Sequence, residues 1–285
     1  RPRAAGRSER ARAAVTNPRV GPIYRLSAAG SPAGAIVWKN LTSVARNSRL
    51  RLIASGLVLA GVTLAVLSFR GEGQLAELVG WFAAMWAGFL VVIGPQWVRS
   101  DLRGDLPKLD LLRSYPLRGG AIVAAEVSSS TAVLTALQLG VAALAYLAFL
   151  GNRNMEPGLT ERTAALVTAA VLLPGINLLG LLIQNGAAVL FPSWVHLGAG
   201  RQGGVEALGQ NMLALMAHLL VLALALLGPA AAGGSILLPL YPALGWWALP
   251  IAALTAVGVM GLEAVVAVRR LGRAFERTEP AELAA

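Results

Sequence analysis

Between residues 207 and 262 the chain carries no Asp, Glu, Lys or Arg, and a single histidine, His218. A soluble domain would have to break a run of this length with charged faces, because about a quarter of ordinary globular sequence is charged. One membrane span needs about 20 apolar residues, so the run has room for two. The rest of the chain shares the bias, being 56% hydrophobic and 13% charged over 285 residues. Long runs such as AALVTAAVLLPGINLLGLLI do not alternate apolar with polar, which excludes a transmembrane β-barrel. Helices satisfy their own backbone groups in lipid. The sequence therefore predicts an all-α integral membrane protein, a bundle of transmembrane helices.

Hydropathy places six spans, at about 52–69, 75–98, 121–150, 163–191, 212–227 and 247–268. Residues 1–34 read as a basic flexible arm or linker, with five arginines by Arg12 that an anionic lipid surface would attract. The domain proper runs from 35 to 273, and 274–285 is a short tail. With the N-terminus inside, 21 of the 24 Lys and Arg residues fall on the cytoplasmic side and 3 outside. That bias predicts both ends inside. It also accounts for the net charge of +10 without nucleic acid as a partner.

Before the first span, residues 35–50 form an amphipathic helix. Val37, Leu41 and Val44 follow helical spacing, while Lys39, Asn40, Ser43, Arg46 and Asn47 lie largely on the other side. Such a helix lies in the membrane interface with Trp38 as an anchor and Lys39 and Arg46 in water. Residues 228–247 are uncharged but interrupted by glycines and by Pro229, Pro239 and Pro242. They read as an external re-entrant segment, too broken for a regular span.

The sharpest local feature is the charged loop 99–119. Asp105 can cap a short helix with Pro107 in its first turn, and Pro116 marks its stop. Leu109, Leu112 and Leu106 share one stripe, rimmed by Asp101, Arg103, Arg113 and Tyr115. An amphipathic helix of this kind docks in a groove of a soluble partner or rests on the membrane surface. The aspartates 101, 105 and 110 also admit a magnesium-dependent enzyme of prenyltransferase type, since such sites need one or two carboxylates plus phosphate. Against that, Arg103 and Lys108 intervene and loop 192–210 contains no Asp.

The fourth span carries Asn177, Gln184 and Asn185, which offsets of 7 and 8 put on one face. That face meets other helices through hydrogen bonds or lines a polar substrate path. Glu77, Glu126 and Glu263 lie near span ends, within reach of the interface. An ion-coupled carrier usually places charge at mid-membrane, and these spans have none there. Neither His196 nor His218 has a carboxylate or second histidine one helical turn away, so no metal site is expected. With no cysteine there is neither a disulfide framework nor a thiolate site. No GxxxxGK[ST], GxSxG or HExxH occurs, so no catalytic residue is assigned and any energy for transport comes from a partner or an ion gradient.

Four features together resemble the permease subunit of ABC transporters of the exporter, type-two class. They are the leading helix IVWKNLTSVARNSRL, the six-span order, the charged helix DLRGDLPKLDLLRSYPL between spans two and three, and the proline-broken segment before span six. The wording of RSDLRGDLPKLDLLRSYPLRGGAIVAAE and QNGAAVLFPSWV is most similar to a bacterial ABC exporter family. The resemblance implies a bacterial cytoplasmic (inner) membrane protein with no cofactor of its own. ATP and magnesium would sit on a separate ATP-binding cassette subunit, and the loop 99–116 would be the coupling helix in that subunit's groove. Two permease halves would be needed, either as a homodimer or as a fusion. The start at Arg1 then reads as the C-terminal half of a longer permease.

Overall fold

The structure, a computed structural model, describes residues 30–46, 73–98, 101–106, 109–150, 156–191 and 205–278, with Ile53, Gly56, Leu59, Ala60, Gly61, Thr63 and Val66. The basic arm up to residue 29, most of the first span, residues 192–204 and the tail beyond 278 lie outside the described residues. Every regular element among the described residues is a helix. In chain order these are α1 (Pro32–Arg46), α2 (Gly73–Trp97), α3 (Leu102–Asp105), α4 (Leu109–Arg113), α5 (Gly119–Leu150), α6 (Leu159–Leu190), α7 (Val205–Leu244) and α8 (Ala248–Arg277). The isolated residues from Ile53 to Val66 are helical too.

Among the described residues, four helical stretches are long and apolar enough to cross a membrane: Ala76–Asp105, Gly119–Leu150, Leu159–Leu190 and Gly209–Arg277. At 1.5 Å per residue, a helix of 32 residues is about 48 Å long, well over the roughly 30 Å of bilayer hydrocarbon. The last stretch is 69 residues and contains α7 from Gly209 onward and α8. It folds back on itself at the turn Gly245–Trp247, where Gly245 has φ +55°, a left-handed conformation that favours glycine.

That hairpin corrects the reading of residues 228–247. The helix does not stop at Pro229 but continues through all three prolines to Leu244. Each proline removes only one backbone hydrogen bond, a loss that neighbouring helices can make tolerable. Gly233 in the segment serves packing instead. A Cβ at Gly233 would stand 3.2 Å from the Ala252 carbonyl oxygen, so α8 comes close to the α7 backbone there.

The centre of the bundle is α5, α6 and α8. α5 and α6 run antiparallel, tied at one end by Arg162 donating to the Phe149 carbonyl and in the middle by Asn177 meeting Gln138. α2 packs on α5, with Trp81 edge-on to Phe149 at 5.4 Å and Ala83 and Leu90 against Val141, Leu144 and Ala145. At the opposite end, α5 and α8 cross almost backbone to backbone. A Cβ at Gly272 would lie 2.3 Å from the Gly120 nitrogen, and one at Gly119 would lie 2.5 Å from the Gly272 oxygen. Only glycine permits that crossing. It brings the end of α8 beside the segment that joins α2 to α5.

Candidate functional site: the charged segment between α2 and α5

The segment 101–118 holds two short helices. The first is capped by Asp101, whose side chain accepts from the Arg103 backbone N–H at 3.1 Å; the cap expected at Asp105 is not the one formed. Asp105 ends the first helix, and Leu109–Arg113 forms the second.

The stripe of leucines exists, but it points inward. Leu102, Leu106, Leu109 and Leu112 are at most 2% exposed. They share one apolar cluster with Ile36 of α1, Ile122, Val123 and Val127 of α5, and Phe275 of α8. The expectation that Leu106, Leu109 and Leu112 face a partner is therefore corrected. Burying a leucine is worth about 1.5–3 kcal/mol, and this chain's own core takes that gain. What faces outward is Gly104, Asp110, Leu111, Ser114, Pro116 and Arg118.

A buried ionic network fixes the first helix. The Asp101 side chain is fully buried and the Arg103 side chain 7% exposed. Arg103 Nη2 donates to Asp101 Oδ2 at 2.7 Å, and its Nε donates to Asp101 Oδ1 at 3.0 Å. The same guanidinium reaches the carbonyl oxygens of Pro95 (2.8 Å) and Val98 (2.6 Å) at the end of α2, and the Gln184 side-chain oxygen on α6. Asn185 completes the circuit. Its Nδ2 donates to Asp101 Oδ2 at 3.0 Å, and its Oδ1 accepts from the Arg103 backbone N–H at 3.2 Å. Gln184 and Asn185, expected in a polar face of the bundle, are thus the anchor of the charged segment. Burying an ion pair costs several kcal/mol per ion unless further hydrogen bonds satisfy both partners, and here they do.

A second network ties α1 to the same place. Lys39 donates to Asp105 and, at 3.3 Å, to Glu126 Oε1 on α5. Asn40 Nδ2 donates to Glu126 Oε2 at 2.5 Å and to Ser129 Oγ at 3.1 Å. Asn40 is 4% exposed and Glu126 fully buried, which corrects two readings. The polar side of α1 is partly its docking side, and Glu126 is held by α1 rather than reaching an interface. A carboxylate this deep on α5 requires donors, and α1 supplies them. Trp38 is half-buried and Arg46 exposed. Burial works against the charge on Lys39, but its hydrogen bond to Asp105 and the charges of Glu126 and Asp105 outweigh it, so its pKa lies above the ordinary lysine value.

The second short helix is tied to α8. Arg113 Nη2 donates to the Phe275 carbonyl at 2.8 Å and to that of Thr278, with the guanidinium 6.0 Å over the Phe275 ring. Glu276 Oε1 accepts from the Gly119 N–H at 2.6 Å, capping the start of α5. Tyr115 is half-buried and its ring packs on the core cluster. The segment is therefore bound on four sides, to α1, the end of α2, α6 and the end of α8.

Asn177 belongs elsewhere. It lies in the middle of α6, 1% exposed, donating to Gln138 Oε1 at 2.6 Å and Thr135 Oγ1 at 2.9 Å on α5. The three residues of the expected polar face split between two sites at different depths. His218 is buried against Gly180 and Pro95, with neither ring nitrogen paired among the described residues. No group of three or more His, Cys, Asp or Glu among the described residues is arranged to hold a metal ion. Asp101 is spent on Arg103 and Asp105 on Lys39, which leaves Asp110 as the outward carboxylate of the segment. Sequence reasoning missed Asn40, Glu126 and Ser129; three polar residues spaced to meet across two helices leave no signal in either helix alone.

The chain matches no family model, no curated protein and no solved structure.

Proposed function

We propose that the chain is a multi-pass membrane protein of six spans with both ends inside, and that it is the permease subunit of an ABC exporter. A separate ATP-binding cassette subunit would drive it, and it would work with a second permease half in a bacterial cytoplasmic membrane. The observation that carries this reading is the clamped segment 101–113. A force-transmitting element must be rigid toward its own protein and accessible to its driver. The segment is fixed by ionic and carbonyl contacts to α1, α2, α6 and α8, while Asp110, Leu111 and Ser114 face outward on one side of α4. Motion imposed on that surface would pass into four helices at once, as alternating access between rigid bodies requires. The driver would then meet the Asp110–Leu111–Ser114 face, and Leu109 and Leu112 would hold the lever in place.

The test is a detergent pull-down of the full chain with its native membrane partners, followed by mass spectrometry and an ATPase assay. Recovery of an ATP-binding cassette subunit is expected, lost in Leu111→Asp, whose side chain is 55% exposed, while the variant keeps its helicity. Absence of an ATPase under conditions that preserve known complexes would sink the reading, as would full ATPase recovery and stimulation with Leu111→Asp.

A further inference from the structure

The last three turns of α8 carry Arg269, Arg270, Arg273 and Arg277, all exposed. At 3.6 residues per turn these positions fall within an arc of about 100° on one face of the helix. The turns just before them, on the same side, present Leu262, Val265 and Val266, exposed at 70%, 48% and 49%. One helix face is thus apolar and then, within a single turn, strongly basic.

The described protein offsets little of that charge. Among the described residues, no carboxylate forms an ion pair with any of the four α8 arginines, as Asp105 does with Lys39 and Asp101 with Arg103. Glu276, the acidic side chain in the same turns, is turned to the Gly119 N–H. Arg103 and Arg113 show the alternative: guanidinium groups at this end of the bundle that have protein partners are drawn in to backbone carbonyls. Topological bias accounts for the sign of the charge, and the helix dipole favours cations in a last turn. Neither explains four arginines confined to one arc beneath an exposed apolar strip.

We infer that this face of α8 is a binding site for an anionic phospholipid of the surrounding membrane. Arg269, Arg270 and Arg273 hold the phosphodiester, Arg277 adds charge one turn further from the membrane, and the acyl chains lie along Leu262, Val265 and Val266. Guanidinium forks match phosphate oxygens two at a time, and their apolar stems stay in contact with lipid chains. The inference rests on the membrane reading of the chain and is independent of any ATPase partner.

The test reconstitutes the full chain in phosphatidylcholine bilayers doped with spin-labelled phosphatidylglycerol or spin-labelled phosphatidylcholine, and reads the motionally restricted fraction. Phosphatidylglycerol is expected to be preferred by about five-fold or more, given the attraction per basic residue at an anionic surface. The variant R269Q/R270Q/R273Q/R277Q should remove most of the preference with unchanged helicity, leaving only the weak attraction of the basic arm. The single change Arg273→Glu, at an exposed position, should lower the preference without disturbing the fold. A control with the same loss of charge, R1Q/R3Q/R7Q/R10Q, should keep the preference. No preference in the unaltered protein, or an equal loss in the control, overturns the site in favour of none or of diffuse attraction. A preference that survives the four α8 changes, while an acidic protein partner is lost, makes the face a protein-docking surface and also overturns it. Failure of the chain to enter bilayers would defeat the membrane reading itself.

Discussion

Helix α6 carries amide side chains at two depths, and they behave differently. Near its end, Gln184 and Asn185 meet a charged pair, and every side-chain nitrogen and oxygen of Asp101 and Arg103 finds a partner. In its middle, Asn177 meets only Gln138 and Thr135, and the pairing is incomplete: Asn177 Oδ1 and Gln138 Nε2 are buried without partners among the described residues. Reversing both amides moves the deficit without removing it, since two amides that share one hydrogen bond leave a donor and an acceptor over. The end of a helix can recruit charge from a loop. Its middle can draw only on what neighbouring spans carry. The first arrangement fixes a unique geometry; the second holds two helices together.

The largest effect should come from breaking the charged site. Arg103→Ala leaves Asp101 buried without its cation, a loss of about 3–5 kcal/mol by analogy with broken buried pairs. The absence of cysteine gives a direct readout. A thiol placed at Leu109 should label slowly in the parent and rapidly in the Arg103→Ala background. Equal labelling rates would mean that the segment does not depend on this network. A smaller effect is expected in the middle of the bundle. A double-mutant cycle on Asn177→Leu and Gln138→Leu, read as thermal stability in detergent, should give a coupling of about 0.6 kcal/mol and no more than about 1.7. A coupling as large as the Arg103 effect would erase the distinction between the two depths.

The smallest effect is a pH dependence at α1. The folded pKa of Lys39 is raised, so its contribution is fully present below the ordinary lysine value and is lost as pH rises through the higher folded value. Labelling of a thiol at Ile36 should stay slow from neutral pH into the alkaline range and accelerate only above the ordinary lysine pKa. Lys39→Met should remove that step. The effect is modest because the Lys39 side chain is 45% exposed. Loosening between pH 6 and 8 would show that some other group holds α1.

Periodicity made part of this legible. The described long helices, the amphipathic α1, the leucine stripe and the shared face of Gln184 and Asn185 all follow from spacing, which reports which residues sit together. It does not report what they face. A stripe of leucines looks the same whether it meets a partner or the chain's own core, so Leu109 and Leu112 read as outward when Phe275 and Val123 are their neighbours. Proline misled for a related reason. Its cost in a helix is local, and whether the helix survives depends on the helix beside it, which for Pro229, Pro239 and Pro242 is α8.

The α7–α8 hairpin has a consequence for how such a chain reaches its orientation. Neither helix has a charged residue near the Gly245–Trp247 turn, so nothing there resists or favours crossing a bilayer. In sequence, Arg201 alone precedes the pair within a few residues and Glu206 carries the reverse charge, whereas Arg269, Arg270, Arg273 and Arg277 follow the apolar part of α8. The charge of the α7–α8 pair is therefore concentrated at the C-terminal end of α8. In a bilayer, two Trp residues at the turn and four arginines at the end of α8 would act as opposite stops on a segment that could otherwise slide.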